Sequence, residues 1–310
     1  MDKWLKPSFA NLLENQKFSD CRILVENESF DCHKLILGSA SEFFERMFLS
    51  DFQESKTAEF RLNDVSPDTF RIFLDYVYTY DFEKLKKNPN EIIFDLFECG
   101  NKWLVKSITD DCEAVLKERA PQMSIGNLVE TFQFAHNAEH NGIIDVVTYN
   151  FLRLAGGMKC YDCLFLTSDA FEKYILICDG KIPEEDRFKM IEAYVTINGL
   201  IDAETADSGV NGTILDEFKI LKDDDKPGCS KEISVAENKA AVSLPDKNGI
   251  ESSAGDNKDI KLKKLLLTYV KTLVNYIHFE RMNKTIFYNV VGKSRLLTHE
   301  EKFEKMFLTK

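Results

Sequence analysis

Two pairs of side chains between residues 136 and 163 have the types and spacing found in metal sites. Cys160 and Cys163 form a Cys-x-x-Cys pair, and His136 and His140 stand about one helical turn apart. A structural zinc site needs four such ligands, and no second cysteine pair follows at ligand spacing. Between the histidines, Glu139 occupies the wrong position for the base of a zinc protease. We therefore expect packed thiols, histidines in packing or surface roles, no metal and no cofactor.

Two other pairs, both in the amino-terminal half, indicate binding chemistry. Asp20 and Lys34 each lie beside apolar runs, and an unpaired buried charge costs on the order of several kcal/mol. They are either a buried pair or a turn residue and a solvated helix start. Phe52 and Glu54 lie in a polar segment, where an exposed aromatic residue beside an acid is typical of a docking hot spot. The alternative is a phenylalanine packed into its own core and a solvated glutamate.

The elements that position these residues alternate between strand and helix. Leu5, Phe9 and Leu12 follow helical spacing, so a short amphipathic helix is predicted from about residue 3 to 16. This helix could fold back on its own domain or cover a neighbour. Strands are predicted over residues 21–25, 29–33 and 57–62, with helices beginning at Lys34 and Ser41 between the last two. Ser66 and Pro67 then provide the cap and first position of a further helix.

This part of the chain resembles a BTB/POZ domain. The matching marks, in chain order, are Phe18-Ser19-Asp20, His33-Lys34-Leu35-Ile36-Leu37, Ser39-Ala40-Ser41-Glu42-Phe43-Phe44 and Met47-Phe48. The resemblance implies an α+β domain over residues 1–118, with a small three-stranded sheet capped by helices. Two positions depart from the family: Tyr80 stands where glycine is usual, and Gly100 lies in a segment that is usually a more alanine-rich helix.

The resemblance also implies two interaction surfaces. In BTB/POZ domains the first helix packs across a two-fold dimer interface, and an acid and a base are buried near the axis. The implied interface residues here are Leu5, Phe9, Leu12, Asp20 and Lys34. BTB proteins that recruit the third cullin scaffold carry a hydrophobic-x-Glu motif at the position of Phe52-Gln53-Glu54, which implies cullin docking through Phe52 and Glu54.

From residue 119 the sequence is helical and resembles the BACK domain that commonly follows a BTB/POZ domain. The marks are Leu166-Thr167-Ser168-Asp169-Ala170-Phe171 and Pro183-Glu184-Glu185-Asp186. Residues 119–201 resemble the first part of BACK, and residues 260–310 resemble its later helical hairpins. Together they indicate one all-α domain with an insertion.

The predicted insertion, residues 202–259, differs in composition from both flanks. It holds 14 acidic residues, 7 lysines and one aromatic residue, Phe218. Such a segment cannot bury enough apolar area to offset its ordering entropy, so we predict that it is disordered. Residues 260–310 instead carry 11 Lys and Arg against 4 Glu. That charge could contact an acidic partner, attract the insertion or, as we favour, form the solvated face of helices.

Composition limits the function classes. A length of 310 residues accommodates two domains, and a net charge of −12 argues against nucleic-acid binding. No apolar run approaches the roughly 20 residues of a membrane span, and the first residues lack a signal-peptide pattern. Eight scattered cysteines suit a reducing compartment, so a cytoplasmic or nuclear location is expected.

The resemblance to BTB/POZ and BACK domains implies a non-enzymatic, homodimeric BTB–BACK adaptor that recruits substrates to a cullin-RING ubiquitin ligase. Its expected partners are a second copy of itself, a cullin scaffold and a client protein of unknown identity. The alternative is a BTB–BACK scaffold or transcriptional co-regulator that binds no cullin. An enzyme with a cryptic site is a third class, for which the sequence offers no nucleophile–base pair or phosphate loop.

Overall fold

The computed structural model describes residues 5–50, 57–153, 158–201 and 255–310, with the backbone alone for residues 5–6 and 255–260. The chain divides into two compact units, residues 1–122 and 123–310. The first unit combines a three-stranded sheet with helices, and the second is helical. This agrees with the predicted fold class.

The first unit begins with a helix and a β-hairpin, and further helices and a third strand follow. Its elements are α1 (Leu5–Asn15), β1 (Cys21–Val25), β2 (Glu28–Cys32), α2 (Lys34–Ala40), α3 (Glu42–Leu49), β3 (Glu59–Leu62), α4 (Pro67–Thr79), α5 (Phe82–Leu85), α6 (Asn90–Lys102) and α7 (Lys106–Arg119). The predicted cap of α4 is present, because the Thr69 N–H donates to Ser66 Oγ (3.1 Å) and Pro67 occupies the first turn.

The sheet has the order β2-β1-β3. β1 pairs antiparallel with β2, from Cys21 opposite Cys32 to Val25 opposite Glu28, and parallel with β3. Alternate β1 side chains, among them Ile23, are buried, as the period of a half-buried strand requires. On the other face Arg22 forms an ion pair with Asp31 (2.7 Å).

An aromatic cluster forms the centre of the first unit. The buried Trp103 ring lies 4.6 Å from Phe73, 5.6 Å from Phe44 and 5.8 Å from Phe70, measured between centroids. Ser41 ties α3 to this cluster, because its hydroxyl donates to the Trp103 carbonyl and accepts from the Phe44 N–H. Residues from two helices, α3 and α4, and from the loop after α6 thus share one core.

Tyr80 ends α4 in the left-handed conformation, with φ 49° and ψ 44°. This conformation explains why glycine is usual at that position in the family, since a side chain there costs about 1–2 kcal/mol. The Tyr80 ring packs against Tyr76 at a centroid distance of 5.6 Å, which offsets part of the cost. The departure from the family therefore leaves the helix end intact.

The second unit is helical in its described ranges. Its α-helices are α8 (Ile125–Asn137), α9 (Asn141–Arg153), α10 (Ser168–Ile177), α11 (Glu184–Ile197), α12 (Gly255–Asn275), α13 (Lys284–Val290) and α14 (His299–Met306). The predicted insertion lies mostly outside the described residues, and α12 begins at Gly255, before the predicted return of order at residue 260. Within the described ranges, no helix offers an apolar stretch long enough to cross a bilayer.

Gly100 allows α6 and α7 to pack closely, which gives a test of this interface. A Cβ at Gly100 would lie 2.5 Å from Ile108 Cγ2 and 2.7 Å from Thr109 Cγ2. We expect Gly100→Ala to destabilise the first unit by about 1–3 kcal/mol through overpacking. Urea unfolding followed by tryptophan fluorescence measures this, because Trp4 and Trp103 both belong to that unit.

The matched control is Gly38→Ala in α2. Its Cβ would meet Glu45 at an ordinary 3.6 Å, so the helix should gain about 0.5–1 kcal/mol. Equal stability of Gly100→Ala and the wild type would show that the two helices do not depend on this close approach.

Candidate protein-interaction site

The amino-terminal helix α1 packs against α4 of its own unit. Two predicted interface residues, Phe9 and Leu12, are half-buried, and Leu5 lies in the first turn, where only the backbone is described. The helix therefore has an intrachain support. Its predicted role in covering a second copy stays a prediction.

Asp20 and Lys34 are brought together through the backbone. The Lys34 N–H donates to Asp20 Oδ1 at 2.7 Å, so the carboxylate caps the amino terminus of α2. Asp20 is exposed and Lys34 is half-buried, with its Nζ 5.9 Å from the centre of the Phe60 ring. In the single chain Asp20 thus has a structural role, and its charge remains accessible for a partner.

A buried hydrogen-bond network holds this region, and the sequence analysis did not identify it. The Tyr78 hydroxyl lies 2.8 Å from His33 Nδ1 and accepts from the His33 N–H at 3.0 Å. His33 Nε2 lies 2.7 Å from the Lys17 carbonyl oxygen. A carbonyl can only accept, so the network is satisfied with the proton on Nε2 and the hydroxyl donating to Nδ1. The network joins the end of α1, the start of α2 and α4.

Two large apolar side chains are exposed beside this network. Phe18 is 86% exposed and Leu35 is 81% exposed, and the Asp20–Lys34 hydrogen bond links the short segments that carry them. Clustered apolar exposure of this kind marks interaction sites. Both residues belong to motifs quoted for the family, yet periodicity alone would assign such side chains to a core.

The predicted cullin-docking residues, Phe52 and Glu54, lie outside the described residues. The last residue of α3 before that segment, Leu49, is 77% exposed. An apolar side chain at this end of α3 is available to extend a docking surface that would include Phe52.

The histidine and cysteine pairs have structural roles. His136 stacks near Phe132 (centroids 6.5 Å), and burial lowers the pKa of His136. The Ile143 N–H donates to His140 Nδ1 (3.3 Å) at the start of α9. Buried Cys163 Sγ donates to the Cys160 carbonyl at 2.9 Å. Across the described ranges, no three His, Cys, Asp or Glu side chains converge as a metal site would require.

A charged network in the second unit joins residues about one hundred positions apart. Fully buried Arg187 donates to Glu184 Oε2 (2.9 Å) and Asp179 Oδ1 (3.2 Å). Arg281 donates to the same two acids, at 2.6 Å to Asp179 and 3.1 Å to Glu184. Partial burial opposes ionisation of Asp179, but the Arg281 guanidinium keeps the pKa of Asp179 below its usual value. The His278 N–H also donates to Glu184 (3.2 Å).

Comparison with known proteins gives matches to part of the chain. Residues 9–120 match the family model of the BTB/POZ domain. Kelch-like protein 40 of Xenopus laevis is 36% identical over 115 residues, which are 37% of this chain and 18% of that protein. Kelch-like protein 41 of Rattus norvegicus is 30% identical over 115 residues, with the same two shares. The solved BTB domain of zebrafish PATZ1 matches at 28% identity with a TM-score of 0.31, covering 38% of this chain and 95% of that structure.

Residues 9–120 are therefore a BTB/POZ domain, which confirms the predicted family for this part of the chain. The match spans 18% of the length of each of the two Kelch-like relatives. The match therefore does not assign the functions of those whole proteins to this chain. The BACK identity of the second unit stays a prediction.

The buried network predicts a specific cost for removing one hydroxyl. Tyr78→Phe leaves the His33 N–H and Nδ1 without partners, so the first unit should lose about 1–3 kcal/mol. Urea unfolding followed by tryptophan fluorescence measures the loss. Tyr288→Phe, which removes an exposed hydroxyl from the second unit, is the control and should change stability by less than about 0.5 kcal/mol. A Tyr78→Phe variant as stable as the control would contradict a structural role for the network.

Proposed function

We propose that this chain is a non-enzymatic BTB–BACK adaptor that forms homodimers and recruits a client protein to a cullin-RING ubiquitin ligase. The observation that carries the proposal is the BTB/POZ match over residues 9–120, with exposed apolar side chains at the start of β1 and of α2. In such an adaptor the ubiquitin-transfer chemistry belongs to other subunits, so the adaptor's task is binding.

Dimer formation would use the face that includes α1, Asp20 and Lys34. The exposed Phe18 and Leu35 supply apolar area, and removing such area from water stabilises a complex by about 25 cal/mol per Å². Asp20 and Lys34 would add charge recognition between copies, since both reach this face. Two linked copies would hold two client-binding arms on one assembly and raise the effective concentration of the client.

Cullin docking would use the segment after α3. Phe52 and Glu54 carry the hydrophobic-x-Glu pattern, and the exposed Leu49 precedes them on α3. An aromatic side chain surrounded by apolar and acidic groups has the composition of an interface hot spot. The Kelch-like relatives support an adaptor assignment of this class.

The second unit would be one BACK domain with residues 202–259 inserted into it. Contacts across the insertion support this. The Tyr269 hydroxyl donates to the Ser168 carbonyl (2.7 Å), and the Tyr276 hydroxyl donates to Glu172 (2.5 Å). With the ion pairs of Arg281, these bonds join both flanks of the insertion into one fold. We propose that this unit carries the client-binding arm.

The dimer proposal predicts a charge-dependent association. Asp20→Asn keeps an acceptor for the Lys34 N–H but removes the partner charge, and breaking a buried pair costs about 3–5 kcal/mol. We expect wild-type light-scattering mass to equal two chains at micromolar concentration and Asp20→Asn to dissociate at least about 100-fold more readily. Arg46→Ala, which removes an exposed charge of α3, is the control and should leave the mass unchanged. A wild-type mass of one chain would refute the dimer.

The cullin proposal predicts loss of binding when the motif is removed. Purified third cullin should be captured by the wild type, and Phe52→Ala with Glu54→Ala should weaken capture by about 30-fold or more. Phe303→Ala with Glu304→Ala removes another exposed Phe-Glu pair and should leave capture unchanged. Unweakened capture by the first variant would show that other residues dock the cullin. If the wild type captures no cullin, the alternative holds, in which the chain is a scaffold or transcriptional co-regulator that binds no cullin.

A further inference from the structure

Helix α12 carries an apolar stripe that is buried at one end and exposed at the other. Leu262, Leu265, Leu266, Tyr269 and Leu273 follow the spacing i, i+3, i+4, i+7 and i+11, which is one helical face. Leu273 is fully buried, whereas Leu262 is 41% exposed and Leu265 is 42% exposed. The apolar face therefore extends beyond the part of the unit that covers it.

The rest of the second unit covers α12 only from Tyr269 onwards. The Tyr269 hydroxyl donates to the Ser168 carbonyl of α10 (2.7 Å), and Val270, Leu273 and Val274 next to it are buried. The preceding two turns hold Leu262 and Leu265 with Lys261 along their edge, and Lys261 is exposed. This makes a surface with an apolar centre and a basic margin, which we call the α12 face (Lys261, Leu262, Leu265 and Leu266).

A segment of the same chain has the complementary chemistry. Residues 202–254 lie outside the described residues, and they contain Thr213-Ile214-Leu215-Asp216-Glu217-Phe218-Lys219-Ile220-Leu221-Lys222-Asp223-Asp224-Asp225. Ile214, Leu215, Phe218 and Leu221 fall at i, i+1, i+4 and i+7, the spacing of one amphipathic helical face. Five acidic residues and two lysines in this stretch leave it with a net negative charge.

Composition alone predicts disorder for residues 202–259 and a solvated face for the basic helices, but the exposed leucines of α12 favour another arrangement for one stretch. We propose that residues 213–225 dock on the α12 face of their own chain, with Phe218 and its apolar neighbours against Leu262 and Leu265. Docking in this way would bring the acidic residues of the segment towards Lys261, and opposite charges attract. The interaction covers the leucines that the rest of the unit leaves exposed.

The chain connection favours this occupant over a separate protein. Eleven residues, 202–212, lead from the end of the described α11 region to the segment, and an extended chain spans up to about 3.3–3.6 Å per residue. Residues 226–254 then return to Gly255, the first residue of α12 itself. A tether of this kind gives an effective concentration of about millimolar, so even a weak contact is occupied.

Hydrogen–deuterium exchange of the full-length chain tests the proposal. Amides of residues 214–221 should exchange at least about tenfold more slowly than in a free synthetic peptide of residues 211–227. Leu262→Ser with Leu265→Ser should remove this protection, and so should Phe218→Ser. Raising the salt from about 0.05 M to about 0.5 M should weaken it, because the Debye length falls to a few Å.

The matched control is Leu267→Ser. Leu267 is 50% exposed on the other side of α12, so its loss should leave the protection of residues 214–221 unchanged. Exchange in α10 and α11 shows in the same experiment that each variant remains folded. Free exchange of residues 214–221 in the wild type would overturn the proposal, as would protection that survives the Leu262 and Leu265 changes. Protection that increases with protein concentration would assign the segment to a second copy and also overturn it.

Discussion

The arrangement of the BTB/POZ unit depends on the buried hydrogen bonds between His33, Tyr78 and the Lys17 carbonyl. Tyr78 lies on α4 and His33 precedes α2, 45 residues away in sequence, so these polar groups can pair with one another only in the folded chain. A buried network that is fully satisfied favours one arrangement, because each partial arrangement leaves unpaired polar groups at a cost. The Lys17 carbonyl is the point at which α1 connects to the network. That bond holds the backbone next to Phe18, and Asp20 is held by its own bonds to the Cys32 carbonyl and the Lys34 N–H.

A charged network has the corresponding role in the helical unit. Burying Arg187 is costly, and the cost is met only when Glu184 and Asp179 are in place. The same acids bind Arg281, which follows the 202–254 segment in sequence. The unit therefore closes on itself across that segment. The free energy of closing a connection rises by only about 0.6 kcal/mol for each doubling of its length, so a long connection at this point costs the fold little more than a short one.

Local pattern predicted the elements well and the long-range partners poorly. The alternation of Cys21, Ile23 and Val25, and the Ser66-Pro67 helix start, are short-range features that act within a few residues. The left-handed Tyr80 and the close approach at Gly100 depend on elements that meet only in the folded unit, and the family pattern identified them only as departures. The partners of His33 lie on other elements, and the acids that bind Arg187 also bind Arg281, about one hundred residues away, so no short window of sequence shows either network. Exposure of Phe18 and Leu262 was missed for the same reason, since periodicity identifies an apolar face without saying what covers it.

Several cysteines of this chain are buried in its two units. Burial raises the pKa of the Cys21, Cys99 and Cys178 thiols to about 12, so at neutral pH they are protonated and act as packing groups. Large apolar side chains are exposed just before β1 (Phe18), at the end of α3 (Leu49) and on α12 (Leu262 and Leu265). Exposed apolar groups beside charges of defined sign are what selective binding requires, because the apolar area supplies affinity and the charges exclude mismatched partners.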